Sequence, residues 1–279
     1  MNDACGDIVF CLEESGVVDI SAQRLLHPAI CDVVRLRCQT FINERRQVNK
    51  PSVIRRAQME SESVLSDFHM AYGTGQFQIS DDLWALGEEA WRSQVSHCTF
   101  NNPLINFPEI LSIFKNRRLI TAVSKYLGGE AKLGYAKVKK SYANDLEFKS
   151  FNHLFHVDDN TESGIVKLIM YLDRVESTLD GAFQYVRGSQ KQKKDKFYFD
   201  TSEIVPESVH TLTGPAGTAC LMDATGIHKE NAAINTDRWV LICNFVVDRE
   251  LYGEPLKVMR KDINRYRLPE SFFGFCSLI

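Results

Sequence analysis

From residue 131 to 250 the apolar positions recur at every second residue. The runs "KLGYAKVKKSY" (132–142), "GIVKLIMYLDRV" (164–175), "GAFQYVRGSQ" (181–190), "VHTLTGPAGTACLMD" (209–223) and "RWVLICNFVVD" (238–248) are rich in β-branched and aromatic residues. Turn clusters such as "LDGA" and "TGPAGT" divide them. No helical pattern stands between these strands, so they lack the crossover connections that a parallel sheet requires. The pattern predicts an antiparallel jelly roll, a double-stranded β-helix with a cupin-like core.

Residues 1–130 follow a helical period instead. "PAICDVVRLRCQTFINERR" (28–46) sets Ile30, Val33, Val34, Cys38, Phe41 and Ile42 at intervals of three and four. "SDDLWALGEEAWRSQV" (80–95) opens on a capping Ser/Asp cluster. "FPEILSIFKNRRLITAVSKYLGGE" (107–130) starts near a proline and closes on Gly128-Gly129, which predicts a helix with a glycine C-cap. No repeat, low-complexity tract or long Pro/Gly/Ser linker divides the chain. It therefore reads as a single domain over 1–279: a mostly helical cover (1–130), a jelly-roll core (131–250) and a C-terminal extension (251–279). The extension ends in "ESFFGFCSLI", too apolar for a free tail. It is expected to pack on the body, or on a second copy in a homodimer.

The bulk properties exclude several function classes. Of the 279 residues 44% are hydrophobic and 25% charged, enough for a large core. A net charge of −3 gives no global field toward nucleic acid or an acidic membrane. The basic run "KQKKDK" (191–196) contains an acid and reads as a solvated loop. The start, "MNDACGDIVFCLEESG", lacks the basic and apolar regions of a secretory signal, and no window approaches the roughly 18 apolar residues of a membrane span. A cytoplasmic location is expected. Eight cysteines without a CxxC pair read as reduced thiols, which argues against a cysteine zinc site.

The chemistry concentrates in "FNHLFHVDDN" (151–160), with two histidines and two aspartates. On a strand His156 and Asp158, two apart, project to one face and offer two ligands of a 2-His-1-carboxylate set. Such a set suits Fe(II), because it leaves coordination positions open. An H-x-D pair alone is a weak signal. The third ligand must come from a distant strand adjacent in the barrel. His228 is the stronger candidate, since it follows the "GTACLMD" strand and a tight turn at Gly226. His210 lies too close to the start of the "TGPAGTACLMD" segment. Ten residues beyond His228, Arg238 shares a strand face with Val240 and Ile242. An inward guanidinium there would bind a carboxylate in two-point fashion, such as the distal carboxylate of 2-oxoglutarate. His153 is expected to face away from the metal on the same strand, and Asp159 to point opposite Asp158. His27, His69, His97 and His210 have no partner at ligand spacing and read as structural.

The order His156-x-Asp158, "GAFQYVRGSQ", "GTACLMDATGIH" and Arg238 resembles the phytanoyl-CoA dioxygenase (PhyH-like) family of Fe(II)/2-oxoglutarate oxygenases. The resemblance covers about residues 105–247 and includes "VSKYLGG" before the barrel. It implies iron held by His156, Asp158 and His228, and 2-oxoglutarate held by Arg238. Lys137, on the "YAKVKK" strand, is expected as a second contact to that carboxylate, with Lys139 on the same face. Two departures stand out: "GSQ" (188–190) where the family usually has Gly-Ser-His, and Glu230 where a small hydroxyl residue often helps to hold 2-oxoglutarate.

The activity so implied consumes O2 and 2-oxoglutarate, releases succinate and CO2, and oxidises a C–H bond of a small-molecule metabolite in a biosynthetic pathway. Hydroxylation, or another oxidative outcome such as desaturation or epoxidation, is expected, because Asp158 stands where related halogenases have a small residue. A saccharide or lipid-headgroup hydroxylase, a non-catalytic jelly-roll binding protein and a zinc hydrolase on the same ligands are the alternative readings.

Overall fold

The computed structural model describes residues 4–45, 48–54, 76–100, 102–144, 151–158, 164–247 and 256–279. Two antiparallel sheets face each other as a jelly roll. The larger has seven strands in the order β1 (Val17–Asp19), β12 (Ala219–Asp223), β8 (Val166–Tyr171), β14 (Arg238–Val246), β6 (Lys132–Ser141), β5 (His97–Phe100) and β2 (Val48–Asn49). The smaller has five, in the order β10 (Tyr198–Phe199), β7 (Phe155–His156), β13 (His228–Glu230), β9 (Phe183–Val186) and β11 (Val209–Thr211), while β3 (Ser52–Ile54) and β4 (Gln76–Gln78) pair separately.

Both faces of the larger sheet are buried, which explains why β14 is almost wholly apolar. Trp239, Leu241, Cys243 and Phe245 join the core between the sheet and the helices, while Val240 and Ile242 join the core inside the barrel. The two-residue period thus divides one strand between two cores. Arg238 falls on the inward set and is 1% exposed.

The helix Pro28–Asn43 buries Cys31, Val34, Cys38 and Ile42 against the outer face. Val33, assigned to that face by the spacing, lies on the solvent side instead. Proline at its first turn pre-sets the backbone, and the His27 ring accepts a hydrogen bond from the Ala29 N–H at 3.2 Å, giving that histidine a capping role. The expected helix over 107–130 is two elements: a 3₁₀ segment Pro108–Lys115 and an α-helix Arg117–Leu127. Asn116 separates them because its side chain accepts from the Leu119 N–H and starts a new helix. Gly128, at φ 73°, closes it in the left-handed conformation.

The N-terminal cover is less purely helical than its period suggests. β1, β2 and β5 all come from it and extend the larger sheet at both edges. They are two to four residues long, too short to register a period in sequence. The C-terminal end folds back on the body, with Phe272 and Phe273 buried against Phe114. No helix among the described residues is long and apolar enough to cross a membrane. Seven described cysteines are free thiols.

Candidate metal centre

β7 and β13 are antiparallel neighbours, and their register sets His156 directly opposite His228. The two ring centroids are 4.4 Å apart. Each imidazole is held the same way: Nδ1 of His156 lies 2.8 Å from the Leu154 carbonyl, and Nδ1 of His228 lies 2.9 Å from the Gly226 carbonyl. A carbonyl only accepts, so each Nδ1 carries a proton and Nε2 is the ring atom left to face a metal. Burial, then the neighbouring His228, depress the His156 pKa to about 4, so the ring is neutral near pH 7.

Asp158 follows the end of β7 rather than sitting within it, tied by its N–H to the Ala224 carbonyl at 3.4 Å. Its Oδ2 lies 3.1 Å from His228 Nε2 and forms an ion pair with Lys167 of β8. Burial would raise this carboxyl, but Lys167 and His228 hold it well below the usual carboxylate range. One ligand atom from each of His156, Asp158 and His228 lies within 4.8 Å of the other two, and among the described residues no other cluster of three such groups occurs. Two imidazoles and one ionised carboxylate on one side of a cavity fit a divalent ion that keeps open positions.

The turn before His228 is built tightly. Asp223 caps it by accepting from the Thr225 N–H at 2.8 Å, and the Gly226 N–H closes on the Asp223 carbonyl at 3.1 Å. A Cβ on Gly226 would stand 1.7 Å from the Tyr185 hydroxyl oxygen, so only glycine permits this packing. The Tyr185 ring in turn stacks on His228. Ser189 of "GSQ" secures the next residue: its buried hydroxyl accepts from the Ile227 N–H at 2.7 Å. Gln190 lies away from the metal cluster, donating to the Leu12 and Glu13 carbonyls.

Beside the cluster a cavity of about 80 Å³ is lined by Tyr135, Lys137, Ile169, Met222, Ile242 and Asn244, among others. Lys137 makes no hydrogen bond or ion pair among the described residues; its ammonium stands 5.9 Å from the Tyr135 ring centroid. The buried Oδ1 of Asn244 has no hydrogen-bond partner. Arg238 is absent from this lining. Its guanidinium donates to the Gly181 carbonyl, to the Ser141 hydroxyl at 3.2 Å and to Glu230. Glu230 Oε2 also accepts from Lys139 at 2.6 Å, and Lys139 is as fully buried as Arg238. Burial would raise the Glu230 carboxyl, but Lys139 and then Arg238 hold it well below the ordinary range.

The chain therefore brings His156, Asp158 and His228 together, lines their cavity with Lys137 and places Arg238 beneath it, paired with Glu230. His153 lies in a 3₁₀ turn, Phe151–His153, and not on the metal strand. Asp159 and His69 fall outside the described residues. His97 bonds Ser96 at 2.7 Å, and His210 contacts Arg187 at the far edge of the smaller sheet. Within 191–196, Lys191 pairs with Glu14 and Lys196 with Glu203. Sequence reasoning missed Lys167. Its signal was present as the one charge in "IVKLIMYL", on the same face as Ile169 and Tyr171.

No family model and no curated protein matches the sequence. Solved structures do match in fold. The epimerase SnoN, in complex with Fe3+, alpha ketoglutarate and nogalamycin RO, superposes with a TM-score of 0.54 at 11% identity, covering 88% of this chain and 84% of SnoN. AviO1 from Streptomyces viridochromogenes Tue57 gives 0.56 at 10% identity, covering 91% and 99%. HygX from Streptomyces hygroscopicus, with nickel, 2-oxoglutarate and hygromycin B bound, gives 0.52 at 11%, covering 90% of each chain. The likeness is one of fold.

Proposed function

We propose that this chain is an Fe(II)- and 2-oxoglutarate-dependent oxygenase of the PhyH-like kind, acting on a C–H bond of a small-molecule metabolite. The observation that carries the reading is the convergence of His156, Asp158 and His228, with both Nδ1 atoms already committed to carbonyls. The fold likeness to enzymes crystallised with iron or nickel and 2-oxoglutarate supports it, as do the nogalamycin and hygromycin ligands of SnoN and HygX for a small-molecule substrate.

Iron bound by the three residues would supply the activation of O2, which no side chain provides. The balance is one oxygen atom to the substrate C–H and one to the 2-oxo acid, which leaves as succinate and CO2. The chain's own part is positional. His156 and His228 present Nε2 because their carbonyl partners fix the tautomer. Lys167 holds Asp158 ionised and aimed at the cluster. Ile169, Met222, Ile242 and Phe183 wall the cavity and exclude water from a reactive centre. A carboxylate at 158 occupies the position that a halide would need, which favours hydroxylation.

Anaerobic addition of Fe(II) and 2-oxoglutarate is expected to give a weak visible charge-transfer band, lost in the Asp158→Ala/His228→Ala double variant. A featureless wild-type spectrum, or an undiminished band in the double variant, would overturn the assignment.

A further inference from the structure

We propose that Glu230 determines which cation receives the cosubstrate: its carboxylate closes the fork of Arg238 and leaves Lys137 to hold the distal carboxylate of the 2-oxo acid. This rests on the cosubstrate reading above and departs from the sequence expectation that Arg238 does so.

The inner face of the larger sheet is a ladder. Its registers pair Arg238 with Ser141, Val240 with Lys139, Ile242 with Lys137 and Asn244 with Tyr135. β8 continues the same rows with Tyr171 beside Val240, Ile169 beside Ile242 and Lys167 beside Asn244. Alternate residues on a strand lie about 6.6–6.8 Å apart, so each row is that far below the last. Lys167 touches Asp158, which places the metal cluster at the level of the upper two rows, with Lys137. Lys139 is one row lower and Arg238 two. Glu230 projects from the opposite sheet, two residues past His228, and bonds both of these lower cations.

An anion descending from the metal toward Arg238 therefore meets a carboxylate already in place. To take its seat, the anion would have to detach Glu230 from two buried cations and leave that charge without partners in the barrel. Stranding a buried charge in this way is strongly unfavourable. Lys137 presents the opposite situation. It lines the cavity, carries a positive charge and has no ion-pair partner among the described residues. The three cations Lys137, Lys139 and Arg238 face the single carboxylate of Glu230, so the lower barrel still favours one more negative charge. A dicarboxylic 2-oxo acid supplies it, and Lys137 is the cation open to it.

The test is calorimetric titration of the nickel-loaded protein with 2-oxoglutarate and with 2-oxobutyrate, which has the same keto-acid end and no distal carboxylate. Nickel uptake is measured first in each variant as a check on folding. Lys137→Met is expected to weaken 2-oxoglutarate by about tenfold or more, the scale of one charged hydrogen bond, with 2-oxobutyrate unchanged and Lys137→Arg restoring affinity. Glu230→Gln, which releases Arg238 and Lys139, is expected to tighten 2-oxoglutarate alone. A smaller loss in Lys137→Met, an equal loss for both acids, or no tightening in Glu230→Gln overturns the proposal. Wild-type protein that takes up nickel and binds neither acid overturns the cosubstrate reading itself.

Discussion

The barrel holds two polar clusters only two strand rows apart, and they are opposites. At the upper level, two imidazoles and a carboxylate converge on one side of a cavity, and among the described residues the nearby Lys137 and Asn244 Oδ1 lack hydrogen-bond partners. At the floor, Lys139, Glu230 and Arg238 answer one another's charge, with Ser141 and the Gly181 carbonyl taking further guanidinium donors. Of this cluster's buried side-chain atoms, only Nε of Arg238 lacks a partner among the described residues. A buried polar group left unsatisfied costs free energy unless a ligand completes it. The upper cluster therefore has the form of a binding site and the lower one that of a structural joint, although both were assembled from the residue types that sequence motifs single out. Identity of side chain does not separate them; the pairing of Lys139 with Glu230, where Lys137 faces the cavity, does.

Breaking the floor should cost stability, and this is the largest effect expected. Glu230→Leu leaves Lys139 and Arg238 buried without their shared carboxylate and is predicted to lower unfolding free energy by about 3–5 kcal/mol, the range for removing one partner of a buried ion pair. In urea unfolding, the Lys139→Met/Glu230→Leu/Arg238→Met triple variant, which leaves none of the three charges behind, should recover much of that loss. A triple-variant loss equal to the sum of the three single-variant losses would show that the joint is not a unit.

The upper cluster should behave the other way. His228→Ala is expected to unfold close to the wild-type midpoint without metal. Nickel or cobalt at a hundred times its dissociation constant should stabilise wild type by about 2.7 kcal/mol and leave His228→Ala unmoved. A metal-induced rise in Tm that persists in the variant would place the ion elsewhere.

The smallest effect sharpens the floor's boundary. Asp173 accepts a hydrogen bond from the Trp239 N–H at 3.0 Å, beside Arg238 in sequence, and burial raises its pKa to about 7. A carboxyl whose folded pKa is raised contributes stability that is full below its unfolded value and lost as pH rises through 7. Asp173→Asn keeps the acceptor oxygen and removes the titration. Denaturation at pH 5 and pH 8 should show the variant gaining on wild type at the higher pH. A constant gap between the two would mean that Asp173 is ionised throughout.

Much of this architecture was legible in the chain. The two-residue period over 131–250 announced the strands of the barrel, and the order of His156, Asp158 and His228 singled out the three residues that meet. What the period could not show were β1, β2 and β5, each too short to display one. The break at Asn116 was hidden because its capping side chain interrupts the backbone while the apolar spacing runs on. Lys137 and Lys139 share a face, and the sequence favoured Lys137 only narrowly. One proved to be sealed against Glu230 and the other left open to the cavity.

The sequence by itself determined the barrel, its inward and outward faces and the ligand types, because strand period and side-chain chemistry are local properties. Only the tertiary structure decided which charges are already neutralised. Glu230 and Arg238 are eight residues apart, but Lys139 reaches Glu230 from 91 residues away along the chain. Pairing across that separation depends on how two sheets face each other, and no local pattern of residues encodes it.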